Sequence, residues 1–210
     1  GLTETSPVIG IGTNKEYKLG SIGKAVPSVK AKVVDTDKEG IGELIVKGPN
    51  IMLGYYNDKK ATKEAIKNGW FYTGDLAKID KDGYIFIKGR KKSVIVLKNG
   101  KNIFPEEMEN LVNKIEGVKE SFIFGKSQSE DKENIKINVK IVFDRKIIQE
   151  TYKVKTEEEI YNVLFEKIKE INKKMPPYKA IRGILLTEEP LIKTSTNKIK
   201  RQANLDIIEQ

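Results

Sequence analysis

The periodicity of hydrophobic residues changes near Arg90. Before that point, short apolar runs at Val29–Val34, Ile41–Val46 and Trp70–Ile79 are bounded by glycine, proline or charged turn residues. Runs of this length and composition are typical of strands. Because turn residues recur at close spacing, we expect residues 1–90 to form a small β-rich, barrel-like subdomain.

Two stretches beyond Arg90 carry the signals of amphipathic helices. Pro105 suits a first helical turn, and Thr156 with Glu159 forms a capping box for a helix that runs to Lys174. The apolar residues of both stretches fall at helical spacing, so one face of each helix is expected in a core. The residues expected on these faces are Met108, Leu111, Val112, Ile115, Ile160, Val163, Leu164, Ile168 and Ile171.

Strand signals stand around these helices. Apolar residues alternate over Ile135–Phe143, and Ile181–Leu186 forms a second run. The dipeptide Asn99-Gly100 predicts a hairpin turn between two short apolar segments. Residues 91–210 are therefore predicted to form a compact α+β domain, and the chain as a whole is predicted to be α+β.

Composition excludes several classes of chemistry. The 210 residues contain neither cysteine nor histidine, which removes disulfides, thiolate catalysis, serine–histidine triads and most zinc sites. Any catalysis must rest on lysine, arginine, carboxylates, hydroxyls and backbone amides. The apolar runs are far shorter than the roughly 20 residues that span a bilayer, and no leader sequence opens the chain. We therefore expect a cytoplasmic protein without a transmembrane segment.

The chain is strongly basic, and this charge has two explanations. The 39 lysines and arginines against 30 acidic residues give a net charge of +9. Such an excess is typical of proteins that bind nucleic acid, a membrane surface or a polyphosphate. The lysines are spread evenly, however, without the basic and aromatic clustering that single-strand binding requires. We therefore expect no nucleic-acid partner and assign most of the charge to solvated surface, while peripheral membrane contact stays open.

Three positions carry side chains suited to binding a nucleotide. Asp75 follows a glycine at an expected strand bend, where a carboxylate can bind a cis-diol or simply cap turn amides. A hairpin would bring Arg90 back close to Asp75. There its guanidinium can bind ribose or phosphate oxygens, or Arg90 can simply be a surface arginine. Lys198 lies on an expected loop, after three hydroxyl residues. From such a loop its ammonium can reach an anion, but Lys198 can equally be one lysine of a solvated basic tail.

Taken in order, these segments resemble motifs of the adenylate-forming acyl-CoA synthetases. Phe71–Asp75 is similar to that family's Tyr-x-Thr-Gly-Asp, and Gly83–Glu109 to the Gly-Arg strand, hairpin and proline-initiated helix that follow it. The segment from Pro190 to Arg201 matches Pro-x-x-x-Thr-x-x-Gly-Lys-x-x-Arg, except that Asn197 replaces the glycine. Asparagine tolerates left-handed backbone, so the loop is expected to keep its shape. The resemblance covers essentially the whole chain.

The resemblance implies a nucleotide site and a catalytic lysine. Asp75 takes the position of the aspartate that holds both ribose hydroxyls, and Arg90 that of an arginine that contacts the ribose. Thr3 and Glu4 resemble the end of Tyr-Gly-x-Thr-Glu, in which threonine binds phosphate and glutamate binds magnesium. Lys198 takes the position of the lysine that neutralises charge between the attacking carboxylate and the α-phosphate.

The resemblance also implies a mobile second domain. Lys92 takes the position of the family's hinge residue, which places the hinge near 90–92. After rotation, the hairpin around Gly100 would line a tunnel for the pantetheine arm of coenzyme A. Lys98 and Lys101 would meet the phosphates of the coenzyme, and the missing Cβ of Gly100 would let backbone approach it closely.

The function implied by the resemblance is the ATP-dependent activation of a carboxylic acid, with a long-chain fatty acid favoured. The acid and ATP would give an acyl-adenylate and pyrophosphate, and coenzyme A would then displace AMP. Because the family's upstream phosphate loop and acyl pocket are missing, residues 1–90 are expected to belong to a larger domain. We therefore expect a missing N-terminal domain as partner and no activity from this chain alone.

Three alternatives stay open at this point. The acceptor could be an acyl carrier protein, because carriers can be separate chains and none need follow in this one. A basic nucleic-acid-binding module would instead show oligonucleotide binding that falls steeply with salt. A partner-binding domain that has lost catalysis is the third, and the presence of Asp75, Arg90 and Lys198 argues against it. Acyl chain length and oligomeric state are not indicated by the sequence.

Overall fold

The chain folds into two compact units, Gly1–Lys92 and Ser93–Gln210. A computed structural model describes residues 1–128 and 131–208. Both strands and helices are present in the described residues, which confirms the α+β class. The units divide two residues beyond the predicted limits of 1–90 and 91–210. Within the described ranges, none of the helices combines the length and apolar character needed to cross a membrane.

The first unit, Gly1–Lys92, is built on an antiparallel sheet of five strands. Its order is β3-β4-β6-β5, and β7 pairs with another part of β6. The described strands form this open sheet rather than a closed barrel, because β3 ends the sheet on one side and β5 and β7 on the other. The elements are β1 (Gly10–Ile11), β2 (Lys24–Ala25), β3 (Lys30–Val34), β4 (Gly42–Lys47), α1 (Lys59–Ala65), β5 (Ile66–Lys67), β6 (Trp70–Ile79) and β7 (Ile85–Arg90).

Strand β4 lies at the centre of this unit and is buried from Gly42 to Val46. Full burial of an aliphatic or aromatic side chain contributes roughly 1.5–3 kcal/mol, so the core fixes β4 and β6 side by side. The chain's only tryptophan, Trp70, begins β6, and the Lys32 ammonium lies 4.5 Å from the centre of its ring. The buried residues of this core are Ile9, Val29, Leu44, Val46, Phe71, Ala77 and Ile85.

The second unit, Ser93–Gln210, contains a three-stranded mixed sheet. Strand β10 pairs antiparallel with β11, and β11 pairs parallel with β12. The elements are β8 (Ile95–Val96), β9 (Asn102–Ile103), α2 (Pro105–Val112), β10 (Val118–Gln128), β11 (Asp131–Phe143), α3 (Arg145–Tyr152), α4 (Glu157–Lys173), β12 (Ile181–Thr187) and α5 (Arg201–Ile208).

This mixed sheet is covered on both faces. Ile123 belongs to a large apolar cluster, which includes Leu164 of α4. Its neighbours Phe122 and Phe124 belong to a second cluster, against which Leu205 of α5 packs. Because successive strand residues point to opposite faces, the two clusters lie on opposite sides of the sheet.

Candidate functional site

A bulge in β6 shapes the segment Thr73–Asp75. Glu43 and Ile45 of β4 are two residues apart, but their partners on β6, residues 76 and 72, are four apart, so β6 carries two extra residues here. Gly74 lies at the centre of the bulge with φ +71°. Glycine adopts this backbone conformation without steric cost, and bulges commonly re-aim neighbouring side chains.

Polar side chains replace the strand pairing that the bulge interrupts. The Thr73 hydroxyl donates to the Leu44 carbonyl at 2.8 Å, and the Asp75 amide donates to that hydroxyl at 3.1 Å. The Gly74 amide donates to Oε1 of Glu43 at 3.2 Å. Glu43 is 7% exposed. The stretch from Gly42 to Tyr55 also matches a segment of the family that the chain resembles, but the sequence alone indicates only a structural role for it.

The pairing of β6 with β7 brings Asp75 and Arg90 together. Their Cα atoms are register partners, and Nε of Arg90 lies 3.0 Å from Oδ1 of Asp75. The guanidinium also donates from Nη1 to the Thr73 carbonyl at 3.1 Å. The Asp75 side chain is 14% exposed and that of Arg90 45% exposed. The predicted return of Arg90 to Asp75 is confirmed, and the pair offers a carboxylate beside a cation at the bend.

Thr3 and Glu4 lie in a short 3-10 helix that the first unit holds in place. The Asn50 side chain donates to the Thr5 carbonyl at 2.9 Å. The Tyr55 hydroxyl donates to Oε1 of Glu4 at 3.1 Å, and burial together with this bond raises the pKa of Tyr55. Among the described residues, no group of three or more acidic side chains is arranged to hold a metal. Within the part of the chain that the structure describes, Glu4 therefore offers a single carboxylate and does not belong to an acidic cluster.

Lys198 lies at the exposed end of a tight turn in the second unit. The Thr194 amide donates to the Lys198 carbonyl at 2.8 Å, and the Asn197 amide donates to the Thr194 carbonyl at 3.0 Å. The Lys198 amide donates to the Thr194 hydroxyl at 3.1 Å. Asn197 has φ +63°, so the residue that replaces glycine adopts the left-handed conformation expected of it. The loop backbone therefore has a defined shape.

Two polar side chains, the buried Asn204 and the partly buried Glu120, anchor the ends of this loop. Asn204 is 2% exposed, accepts from the Ile192 amide at 3.1 Å and donates to the carbonyls of Ile192 and Lys200 at 2.9 Å. Glu120 forms an ion pair with Lys193. Sequence reasoning missed Glu120 because its partner is 73 residues away. Asn204 gave no signal because one asparagine in a short helix has no periodic pattern.

Arg201, at the end of the Lys198 motif, pairs with the buried carboxylate of Glu109. Nη2 of Arg201 lies 2.7 Å from Oε2 of Glu109, whose other oxygen accepts from the Ile123 amide at 2.8 Å. Burial raises the pKa of Glu109 against the opposing effect of Arg201. The guanidinium carbon also lies 5.4 Å from the centre of the Phe122 ring. These contacts join the start of α5 to α2 and β10.

The predicted hairpin is present as β8 and β9, with Lys98 and Gly100 in its exposed turn. The Gly100 amide donates to the Leu97 carbonyl at 2.8 Å. Gly100 has φ +73°, and an added Cβ would meet nothing within 4 Å, so the backbone is open at this point. The ammonium of Lys101 lies 4.1 Å from the centre of the Tyr178 ring.

Lys92 lies in a 3-10 turn, Lys91–Ser93, where the first unit ends. The preceding Lys91 is tied to its own unit, because its ammonium lies 2.7 Å from Oε2 of Glu43. This bond raises the pKa of Lys91. Of the residues singled out from the sequence, Asp75 and Arg90 are in direct contact. Lys98, Gly100, Lys101 and Lys198 belong to the second unit.

Two family models match the chain. The model described as AMP-binding enzyme matches residues 1–56. The model described as AMP-binding enzyme C-terminal domain matches residues 92–209, which is more than half of the chain.

Curated relatives include several acid–CoA ligases. A long-chain-fatty-acid–CoA ligase of Salmonella typhimurium is 42% identical over 145 residues, which cover 66% of this chain and 26% of the relative. An indoleacetate–CoA ligase of Aromatoleum aromaticum is 37% identical over 133 residues, 60% of this chain and 26% of the relative. The chain thus spans about a quarter of the length of these curated relatives.

Solved structures of coenzyme A synthetases resemble the fold of this chain. O-succinylbenzoate coenzyme A synthetase from Bacillus subtilis, in complex with ATP and magnesium ion, matches with a TM-score of 0.78 and 27% identity. The match covers 98% of this chain and 40% of the synthetase.

Proposed function

The chain belongs to the AMP-binding enzyme family, and we propose that it supplies the C-terminal part of an AMP-forming acid–CoA ligase. The observation that carries the proposal is the Asp75–Arg90 pair at the β6 bulge, which presents a carboxylate and a guanidinium side by side. The proposal includes an N-terminal part of the same protein, because the matched relatives are about four times as long as the part matched here.

The proposed reaction has two steps. In the first, a carboxylate oxygen of the acid bonds to the α-phosphorus of ATP, the bond to the bridging oxygen breaks and pyrophosphate leaves. In the second, the coenzyme A thiolate bonds to the acyl carbon, the acyl–oxygen bond breaks and AMP leaves. Both steps build negative charge around phosphate, which a fixed cation stabilises.

The proposal gives the polar residues of the first step separate roles. Asp75 accepts hydrogen bonds from the two ribose hydroxyls, and charged bonds of this kind are about twice as strong as neutral ones. Arg90 orients Asp75 and contacts the ribose. Lys198 places its ammonium between the carboxylate and the α-phosphate, where it lowers the barrier without transferring a proton.

Thr3 and Glu4 are proposed to serve the phosphates of ATP. Magnesium prefers oxygen ligands and keeps several waters, so the single carboxylate of Glu4 fits an ion that takes its other ligands from phosphate and water. When bound, the ion neutralises phosphate charge. The Thr3 hydroxyl is proposed to donate to a phosphate oxygen, and the bond from Tyr55 holds the Glu4 carboxylate in place.

The second step is assigned to the second unit after rotation at Lys92. We propose that the open backbone at Gly100 lines the path of the pantetheine arm. Lys98 and Lys101, in and beside the same turn, are proposed to meet the phosphates of coenzyme A. Because ATP and coenzyme A are supplied in the cytoplasm, the whole protein is proposed to act there.

A long-chain fatty acid is the proposed substrate, and its support comes from relatives that carry this activity in their names. An indoleacetate–CoA ligase at 37% identity shows that similarity over this part of the chain does not select the acid. The acid must therefore be identified by assay.

The test is ATP–pyrophosphate exchange by the whole protein across a panel of carboxylic acids. We expect exchange with fatty acids, and a loss of about 10²–10³-fold in Lys198→Ala, the range found when one charge-stabilising donor is removed. Lys200→Ala, an exposed lysine two residues away, is the matched control and should keep its activity. Exchange with no acid would refute the proposal, and full activity in Lys198→Ala would refute the role of the lysine.

A further inference from the structure

The buried carboxylate of Glu43 connects two segments to which the proposed function gives separate roles. Oε1 accepts from the amide of Gly74 at 3.2 Å, and Oε2 lies 2.7 Å from the ammonium of Lys91. Gly74 precedes the ribose-binding Asp75, and Lys91 precedes the hinge residue Lys92. One side chain thus contacts both the nucleotide bend and the entry to the hinge.

The burial of Glu43 makes this contact specific. Glu43 is 7% exposed at the start of the central strand β4, and a carboxylate removed from water requires partners for its oxygens. Lys91 is itself 54% exposed along its side chain. Its ammonium is therefore held by a carboxylate that the sheet fixes in position.

The two partners of Glu43 make different demands on it. The bulge interrupts strand pairing at Gly74, so the Gly74 amide needs another hydrogen-bond acceptor. Any acceptor at position 43 can serve, including the amide oxygen of a glutamine. The ammonium of Lys91 is held much more strongly by a carboxylate than by a neutral amide oxygen. A buried charge is costly where a neutral acceptor would serve the bend, so the charge of Glu43 is explained by Lys91.

We propose that Glu43 is a positioning residue that latches Lys91 to the first unit and so makes Lys92 the pivot of the hinge. With the latch closed, motion at Lys92 stops at Lys91 and Arg90 keeps its pairing with Asp75. With the latch open, motion extends back to Arg90 and disturbs the nucleotide bend. The inference rests on the proposed function for the roles of Asp75 and Lys92, but the latch itself can be tested without activity.

Limited proteolysis measures the latch directly, because Arg90, Lys91 and Lys92 are consecutive trypsin sites. We expect Glu43→Gln in the whole protein to raise the rate of cleavage at 90–92 by about tenfold, through the loss of one charge-assisted hydrogen bond. Lys91→Gln should raise cleavage at the remaining two sites equally, and combining both changes should add nothing. Thermal unfolding would verify that each variant is folded.

Matched controls separate the latch from a general loosening of the unit. Glu16→Gln breaks the exposed Lys24–Glu16 ion pair of the same unit and should leave cleavage at 90–92 unchanged. Lys91→Arg keeps a cation opposite Glu43 and should retain wild-type cleavage. Wild-type cleavage in a folded Glu43→Gln variant would overturn the proposal.

Kinetics of the whole protein supply a second readout. Glu43→Gln should slow thioester formation more than ATP–pyrophosphate exchange, because the second step requires rotation about a defined pivot. An equal loss in both reactions would contradict the role in the hinge. If the wild type shows no exchange with any acid, the proposed function fails, whereas the proteolysis result still decides whether the latch exists.

Discussion

Single residues of the candidate site differ in how far the sequence reveals them. Asp75 and Arg90 could be predicted to meet because a hairpin places them opposite each other. The residues that support the site could not, because Glu43 is 31 residues from Gly74 and Glu120 is 73 residues from Lys193. Contacts of this kind are set by tertiary packing and leave no local pattern.

The ion pair between Arg201 and the buried Glu109 shows how much one such tertiary contact stabilises the fold. Removal of Arg201 leaves the Glu109 carboxylate, 6% exposed, without its cation. We expect Arg201→Met to lower the free energy of unfolding by about 3–5 kcal/mol, the usual cost of breaking a buried pair from one side. Denaturant unfolding would measure it, with the exposed Arg182→Met as control. The double variant Arg201→Met, Glu109→Gln should recover part of the loss, and a cost equal to that of Arg182→Met would contradict this account.

Secondary-structure elements could be predicted where one face is apolar. The capping box of Thr156 and Glu159 is present, and α4 follows it. Strand β10 escaped prediction because Phe122, Ile123 and Phe124 are all buried, so a strand covered on both faces shows no alternation.

Two further differences between the predicted and the observed elements concern helices. Helix α3 escaped prediction because it has only eight residues, so its apolar positions repeat over about two turns and give too short a pattern. In α2, Met108 and Val112 are buried as predicted, whereas Leu111 is 36% exposed. The helix ends at Val112. Met108 and Val112 lie in the same apolar cluster as Ile123 of β10, whereas Leu111 lies outside that cluster.

Asp144 gives α3 a pH-dependent start. Its carboxylate pairs with Lys119 at 2.8 Å and accepts from the Ile147 amide at 3.2 Å, and these contacts lower its pKa below 3.8. Folding therefore favours the charged form, and the stability it adds is complete above pH 3.8 and lost as pH falls through the lowered value.

We expect Asp144→Asn to lower the urea midpoint of the second unit at neutral pH and to match the wild type in strong acid. Asparagine also caps helices well, so the difference in urea midpoint between the variant and the wild type measures the effect of the Asp144 charge alone. Urea titrations across pH would measure it, with Glu150→Gln on the same helix as control. A difference that persists unchanged in acid would show that the effect of Asp144 does not depend on its ionisation.

At the scale of the whole molecule, the division into two units could be predicted because the hydrophobic period changes near Arg90. The structure divides the chain after Lys92, and Lys91, which lies before this division, pairs with Glu43 of the same unit. A contact between residues 48 positions apart is not encoded by local pattern, so this pairing lay beyond the sequence. Each unit has an apolar core of its own.

Trp70 gives this two-unit chain a built-in optical label. It is the only tryptophan and lies in the first unit, three residues before Thr73. Fluorescence excited at the red edge of absorption therefore reports on that unit alone, while far-ultraviolet circular dichroism reports on both. Independent units would give unfolding curves that differ between the two signals. Glu43→Ala should shift the fluorescence curve and only that part of the circular dichroism change that comes from the first unit. Superimposable curves would indicate that the units unfold together.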